Sequence, residues 1–297
     1  MDLRAGRNWT AQLQLARRAH RSCDSDCRAA RTRISHYRRG RSRLLQVLAT
    51  DRLHAVLDLG IDLPPRPPRA PPQMHRDLTI SLVIPCYNEE GGIREVLARV
   101  PNSVDEVVVV DNNCTDRTAE VAASMGARVV AEKTPGYGAA YKAGLAAAKS
   151  DVIVTLDGDG TYPPEEIPKL VDQMVDRGWD FLSASRFPLA DKKTMQFTNM
   201  LGNWVLTVAA ALLFFKPIRD SQSGMWVFRR RGLEKMKLTS NGMAFSEEIK
   251  LEALLRGLSF GEGHIPYGSR VGEVKLQKWR DGWENLMFLV RKRFGLL

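Results

Sequence analysis

Two aspartates, Asp157 and Asp159, alternate with glycine in DVIVTLDGDGTYP, residues 151–163. The apolar run before them reads as a buried strand, so they stand at its end. Two carboxylates one residue apart on a turn offer oxygen ligands to a hard divalent cation. Gly158 between them lets the backbone turn tightly and lets a ligand approach. Read alone, DGDG is a turn rich in Asp and Gly; the neighbouring clusters favour the metal. The first apolar run, TISLVI (79–84), ends in Pro85 and the loop PCYNEE. There Tyr87 can flank a planar base, and Asn88 and Glu89 can hydrogen-bond base or ribose. Another run, DEVVVVD (105–111), ends on Asp111, which can accept from a base N–H. Each of these residues also has a plainer use as a loop or helix cap. No Gly-rich dinucleotide fingerprint accompanies them.

The elements that must position these clusters follow from the same stretch. Short β-branched runs at 79–84, 105–111, 127–132 and 151–159 alternate with helical segments EGGIREVLARV, TDRTAEVAASMG and GYGAAYKAGLAAAKS. Such alternation implies βαβ units and a parallel sheet covered on both faces. Ligands of such sheets bind beyond the carboxyl ends of the strands, where all three polar clusters fall. GYGAAYKAGL is rich in small residues, which suits either a helix start near a diphosphate or close helix–sheet packing.

VIPCYNEE, VVVVDNNCTDRT, GYGAAYKAGL and DVIVTLDGDGTYP occur in this order and at this spacing. The set resembles glycosyltransferase family 2. The later segments ASRF (184–187), GNWVL (202–206), RDSQSGMWVFRR (219–230), GMAFSEEIKLEALLRG (242–257) and IPYGSRVGEVKLQKWRDG (265–282) are similar to its dolichol-phosphate mannose and glucose synthase branch. The resemblance covers roughly residues 78–282. It implies a GT-A fold: a Rossmann-like α/β nucleotide-diphospho-sugar transferase domain over 78–297 with a mostly parallel central sheet. It implies Pro85, Tyr87, Asn88, Glu89, Asp111 and Gly158 at the donor, and Asp157 and Asp159 as ligands of Mg²⁺ or Mn²⁺ on the donor diphosphate. It implies Arg186 on the donor side, Asp220 in the acceptor-side loop, and Arg270 and Lys275 closing on phosphates. Asp159, Arg186 and Asp220 are the expected catalytic group. Thr161 stands where relatives often carry Gln, and Val274 where they carry Ser.

The implied reaction moves one hexose from a UDP- or GDP-linked donor to a polyprenyl phosphate, dolichyl or undecaprenyl, with inversion. The chemistry supports a phosphate acceptor independently. A phosphomonoester with a second pKa of about 6 is already largely dianionic at neutral pH and needs no general base. A sugar hydroxyl does need one, usually a positioned carboxylate. Two rivals stand beside this reading: a family 2 enzyme acting on a polysaccharide hydroxyl, with Asp220 as its base, and a non-catalytic nucleotide-binding protein whose working part is a basic arm.

Charge bears on that arm. The 297 residues carry a net charge of +10, of which residues 1–77 hold +9, with 16 Arg, no Lys and 7 acidic residues. The folded part is therefore near neutral and is not expected to bind nucleic acid. Six prolines in residues 64–72 mark a boundary. The segment before it reads as an irregular upstream extension, or a mis-called start with initiation at Met74. A basic arm for anionic lipid or nucleic acid and a transit peptide are the other readings; Asp2, Asp24 and Asp26 oppose the last. No apolar h-region and no run of eighteen purely apolar residues occur, so neither a signal peptide nor an ordinary spanning helix is expected. VLTVAAALLFF (205–215) reads as a buried core helix or an interfacial segment. The tail WENLMFLVRKRFGLL sets aromatic beside basic residues, which suits a membrane surface or a helix packed on the domain. Together these place the protein peripherally on the cytoplasmic membrane face. Four cysteines are too few for a disulfide scaffold.

Overall fold

The four valines at 107–110 form a strand because both of their faces are covered. Val107 and Val109 join Ile80, Leu82 and Ile84 in one buried cluster, against Ile93, Val96 and Leu170. Val108 and Val110 point the other way, into a cluster with Val83, Tyr141, Leu145, Phe245 and Ile249. The structure, a computed structural model, describes residues 75–191, 194–272 and 278–296. Residues 1–74, which hold nearly all of the basic extension, and Lys275 lie outside the described residues.

Seven strands make one sheet: Ile80–Cys86 (β1), Glu106–Asp111 (β2), Arg128–Ala131 (β3), Val152–Thr155 (β4), Phe181–Ser185 (β5), Trp226–Arg229 (β6) and Phe260–His264 (β7). Their order is β3-β2-β1-β4-β6-β5-β7. All run parallel except β6, which is antiparallel to β4 and β5. That single reversal matters for the site. The loop that enters β6 opens at the same sheet edge as the loops that leave β1, β2, β4 and β5.

The helices are Glu90–Arg99 (α1), Thr118–Ser124 (α2), Tyr137–Ala147 (α3), Ile167–Asp176 (α4), Phe197–Phe214 (α5), Arg230–Leu233 (α6), Phe245–Leu255 (α7) and Lys278–Arg293 (α8). The small residues of α3 serve packing. A Cβ on Gly144 would lie 2.4 Å from Val83 Cγ1, so the helix rides directly on the sheet. His75 Nε2 lies 2.8 Å from Asp172 Oδ1 on α4.

The helix α5 departs from expectation in length. The apolar stretch at 205–215 is extended by eight residues at its start. The resulting 18-residue helix, of mean hydropathy 1.5, is long and apolar enough to cross a membrane by length and composition. Its inner face carries Leu206, Ala210 and Phe214, packed with Leu251 of α7 and Leu289 of α8. Its outer face carries Phe197, Leu201, Trp204, Val205 and Leu212, all exposed.

Candidate active site

The loop after β1 and the loop after β2 are tied together by side chains that the sequence offers as nucleotide ligands. Asn88 adopts φ 53°, and its Oδ1 accepts from Thr115 N (2.7 Å) and Asp116 N (3.3 Å). Asp111 Oδ1 accepts from Cys114 N at 2.8 Å. Pro85 pairs with Val110 in the sheet, and Tyr87 stands exposed above it. Asn112 is a staple: its Nδ2 donates to the carbonyls of Glu132 and Thr134, and its Oδ1 accepts from Gly136 N. Burial pushes the Cys114 thiol up to about 11, so it stays protonated.

Asp157 and Asp159 leave β4 in opposite environments. Asp157 Oδ1 accepts from the hydroxyls of Tyr137 (3.0 Å) and Tyr141 (3.2 Å) on α3. Burial keeps both phenols protonated, so both remain donors. Burial, and then the charge of Asp159, push the Asp157 carboxyl up to about 7. Asp159 is buried and is oriented by Thr161, which donates from its N (3.0 Å) and Oγ1 (2.6 Å) to Asp159 Oδ1. Thr161 thus aims the second carboxylate. Gly158, between them, lies against Cys86 and Glu89.

Arg270 closes this side. Its Nη1 donates to Asp159 Oδ2 at 2.8 Å and its Nη2 to Glu89 Oε1 at 2.5 Å, while Val271 N donates to the Asp159 carbonyl. A guanidinium therefore bridges a carboxylate of the β1 loop and one of the β4 loop. Among the described residues no group of three His, Cys, Asp or Glu is placed to hold a metal ion. The protein offers two aspartates, and their mutual repulsion is what a cation would relieve. His264, the last residue of β7, meets the Pro188 carbonyl at 2.8 Å.

Arg186 and Asp220 form a closed pair. Arg186 Nε and Nη2 donate to the two Asp220 oxygens at 2.8 and 2.7 Å, and its backbone N adds a third bond at 3.0 Å. Asp220 is fully buried and Arg186 nearly so. Burial alone would raise the Asp220 carboxyl, but the Arg186 charge and hydrogen bonds hold it below its ordinary value. Beneath the loop, Lys250 Nζ donates to the carbonyls of Asp220, Ser221 and Ser223 at 2.8–2.9 Å. Burial brings that ammonium down to about 7 against the raising effect of Asp220.

The site thus gathers Glu89, Asp157, Asp159 and Arg270 on one side and Arg186 with Asp220 on the other. Tyr137, Tyr141, Asn112 and Lys250 carry no motif by themselves, and sequence reasoning passes over them. Glu247 and Glu248 stand in the first turn of α7. Glu248 accepts from Thr239 N and Ser240 N and pairs with Lys292 of α8; Glu247 accepts from Gln222.

Residues 81–237 match the family described as Glycosyl transferase family 2. The chain belongs to that family. A dolichyl-phosphate hexose transferase of Haloferax volcanii is 37% identical over 206 residues, covering 68% of this chain and 89% of the relative. The dolichol-phosphate mannosyltransferase of Pyrococcus furiosus is 29% identical and covers 67% of this chain and 60% of the relative. Among solved structures, glucosyl-3-phosphoglycerate synthase from Mycobacterium tuberculosis, in complex with Mn²⁺, UDP and phosphoglyceric acid, superposes with a TM-score of 0.61. It is 22% identical and covers 74% of this chain and 80% of that one. That likeness bears on the fold, which is of the GT-A type. The expected family and branch hold, and the protein is a glycosyltransferase.

Proposed function

We propose that this glycosyltransferase moves one hexose from a nucleotide-diphosphate sugar to a polyprenyl phosphate at a membrane surface, with inversion. The observation that carries the choice of acceptor is the state of Asp220. Both of its oxygens are held by Arg186 and its carboxyl sits below its usual range, so it is a poor proton acceptor. A hydroxyl acceptor needs a base that Asp220 does not supply; a phosphate dianion needs none. The dolichyl-phosphate relatives support the same reading.

On this reading the loops after β1 and β2 bind the nucleoside, with Tyr87 against the base and Asp111 and Glu89 at base and ribose. Asp157 and Asp159 would hold Mg²⁺ or Mn²⁺, with the remaining ligands coming from diphosphate and water. Such a cation, when bound, neutralises charge on the departing diphosphate. Arg270 moves onto phosphate oxygens, and Lys275 is assigned the same task by resemblance. Arg186 and Asp220 shape the loop on the far side. In the step itself an acceptor phosphate oxygen forms a bond to the anomeric carbon as the bond to the donor phosphate breaks. The nucleoside diphosphate leaves as the anion.

The lipid acceptor places the membrane against α5 and α8. Trp204 and Val205 of α5 and Trp279 and Trp283 of α8 are exposed, and Phe215 and Phe294 follow their ends. An apolar face of this extent on two adjoining helices marks an interaction surface. Arg280, Arg291 and Arg293 lie on or beside it and are exposed, which suits anionic lipid headgroups. The inner face of α8 is anchored by buried Leu289 and by Lys292, which pairs with Glu248 and Glu252. On this reading the two expectations for the tail, packed helix and interfacial helix, describe its two faces.

Two measurements test this. Purified protein with Mg²⁺ or Mn²⁺ and a panel of UDP- and GDP-hexoses is expected to yield a lipid-extractable, acid-labile sugar product only when a polyprenyl phosphate is added. Donor binding without any lipid product would move the acceptor to a hydroxyl. Second, the double variant Trp204→Glu, Trp283→Glu is expected to bind vesicles with 30% anionic lipid at least about tenfold more weakly. Its turnover on a short, water-soluble prenyl phosphate should hold. Unchanged vesicle binding would remove the membrane from this face.

A further inference from the structure

Arg270 holds two carboxylates that belong to different loops, Glu89 and Asp159, and keeps its Nε buried without a hydrogen-bond partner. Its side chain is 28% exposed, so the guanidinium can leave. One of its two partners, Asp159, is a residue that a divalent cation on the donor diphosphate requires. In the free protein, therefore, the guanidinium occupies the electrostatic place of that cation. Resting on the donor reading above, we propose that Arg270 is a placeholder cation: it opposes binding of a bare metal ion and is exchanged off Asp159 when metal and nucleoside diphosphate arrive together.

The balance of contacts gives the direction. A bare ion entering at Asp157 and Asp159 must break the Arg270–Asp159 bond. It gains only two protein carboxylates, and no third is placed to join them among the described residues. A metal–diphosphate complex brings its own oxygens to the ion. It also gives Arg270, with its unpartnered Nε, an anion to receive it in exchange. Metal and nucleotide then bind with positive coupling, and the coupling is reciprocal. Loss of the guanidinium should act in opposite directions on the two ligands, strengthening bare metal and weakening nucleotide.

The test is Mn²⁺ binding, followed by calorimetry or by the paramagnetic resonance of free Mn²⁺, with and without UDP or GDP and without turnover. In the unmodified protein the nucleotide is expected to tighten Mn²⁺ by at least about tenfold. Arg270→Met is expected to tighten bare Mn²⁺ by about tenfold, to weaken nucleotide in saturating Mn²⁺ by about tenfold, and so to shrink the coupling. Arg117→Met is the control for charge alone. Arg117 is exposed on the neighbouring loop and pairs with Glu90, so it removes the same charge without touching Asp159. Equal tightening of bare Mn²⁺ in both variants, or unchanged or weaker binding in Arg270→Met, would overturn the proposal. The coupling measured on the unmodified protein is independent of how either variant folds, and its absence would also overturn it. If neither nucleotide binds, the donor reading fails, and the coupling half of the proposal fails with it; the bare Mn²⁺ comparison still decides whether Arg270 opposes the ion.

Discussion

Asp159→Ala is expected to lower kcat/KM for hexose transfer by about 1,000-fold or more, with Asp157→Ala close behind. The fold should survive both. Asp159 is held by Thr161 and Arg270, and Arg270 retains Glu89 when Asp159 is lost. Asp157→Asn has a second, opposite effect that separates function from stability. In the folded chain its carboxyl sits at about 7, pushed there by burial and by Asp159. An unfolded Asp titrates near 4. The folded state therefore binds more protons between those values, and ionised Asp157 costs stability as pH rises through that window. The cost is complete above about pH 7 and absent below about pH 4. Asparagine keeps an oxygen for Tyr137 and Tyr141 and removes the charge. In chelator, the Asp157→Asn protein is expected to melt several degrees higher than the unmodified protein at pH 8, with no gain at pH 4. A lower melting temperature at pH 8 would refute this account of the pair, as would full transfer activity in either alanine variant.

The second large effect is on the fold itself. Asp220→Ala leaves Arg186 buried, charged and unpaired, and removes the negative charge that favours the buried Lys250 ammonium, whose bond to the backbone carbonyl of residue 220 remains. Breaking a buried pair in this way costs about 3–5 kcal/mol. For a domain of this size that is a fall in Tm of roughly 6–20 °C. The double variant Arg186→Met, Asp220→Leu removes both charges and should recover much of the stability, while transfer stays lost. Thermal melts of Asp220→Leu, Arg186→Met and the double variant beside the unmodified protein check this. If the two single variants and the double variant lose stability additively, the pair is not the unit described. Asp220→Asn is a milder probe, and its pH–rate profile should keep the shape of the unmodified enzyme's, since Asp220 titrates below the working range. A lost acidic limb would return Asp220 to the role of general base.

Much of this protein is legible in its residues before any coordinates. The runs at 79–84, 105–111, 127–132 and 151–159 lie where β1 to β4 form, because continuous β-branched sequence suits strands buried on both faces. The clusters at Tyr87–Glu89, Asp111 and Asp157–Asp159 fall at strand ends, where a parallel sheet leaves backbone free to bind. The doublet of aspartates stands out as a candidate because it is local: its spacing is a property of three consecutive residues.

What the tertiary structure decided is what lies far apart in the chain. The reversal of β6 brings Asp220 beside Arg186, 34 residues away, and turns two candidate site residues into one closed ion pair. Arg270 crosses 111 residues to reach Asp159 and 181 to reach Glu89. Tyr137 and Tyr141 look like ordinary helix residues until α3 is laid on the sheet and their hydroxyls converge on Asp157. The exposure of Trp204 and Trp283 is decided in the same way, by which helix face the core accepts. Charge and burial act through space, so a pKa, an ion pair or an exposed face is set by neighbours that sequence order does not name. Strand and turn preferences act along the chain, and these the sequence alone determined.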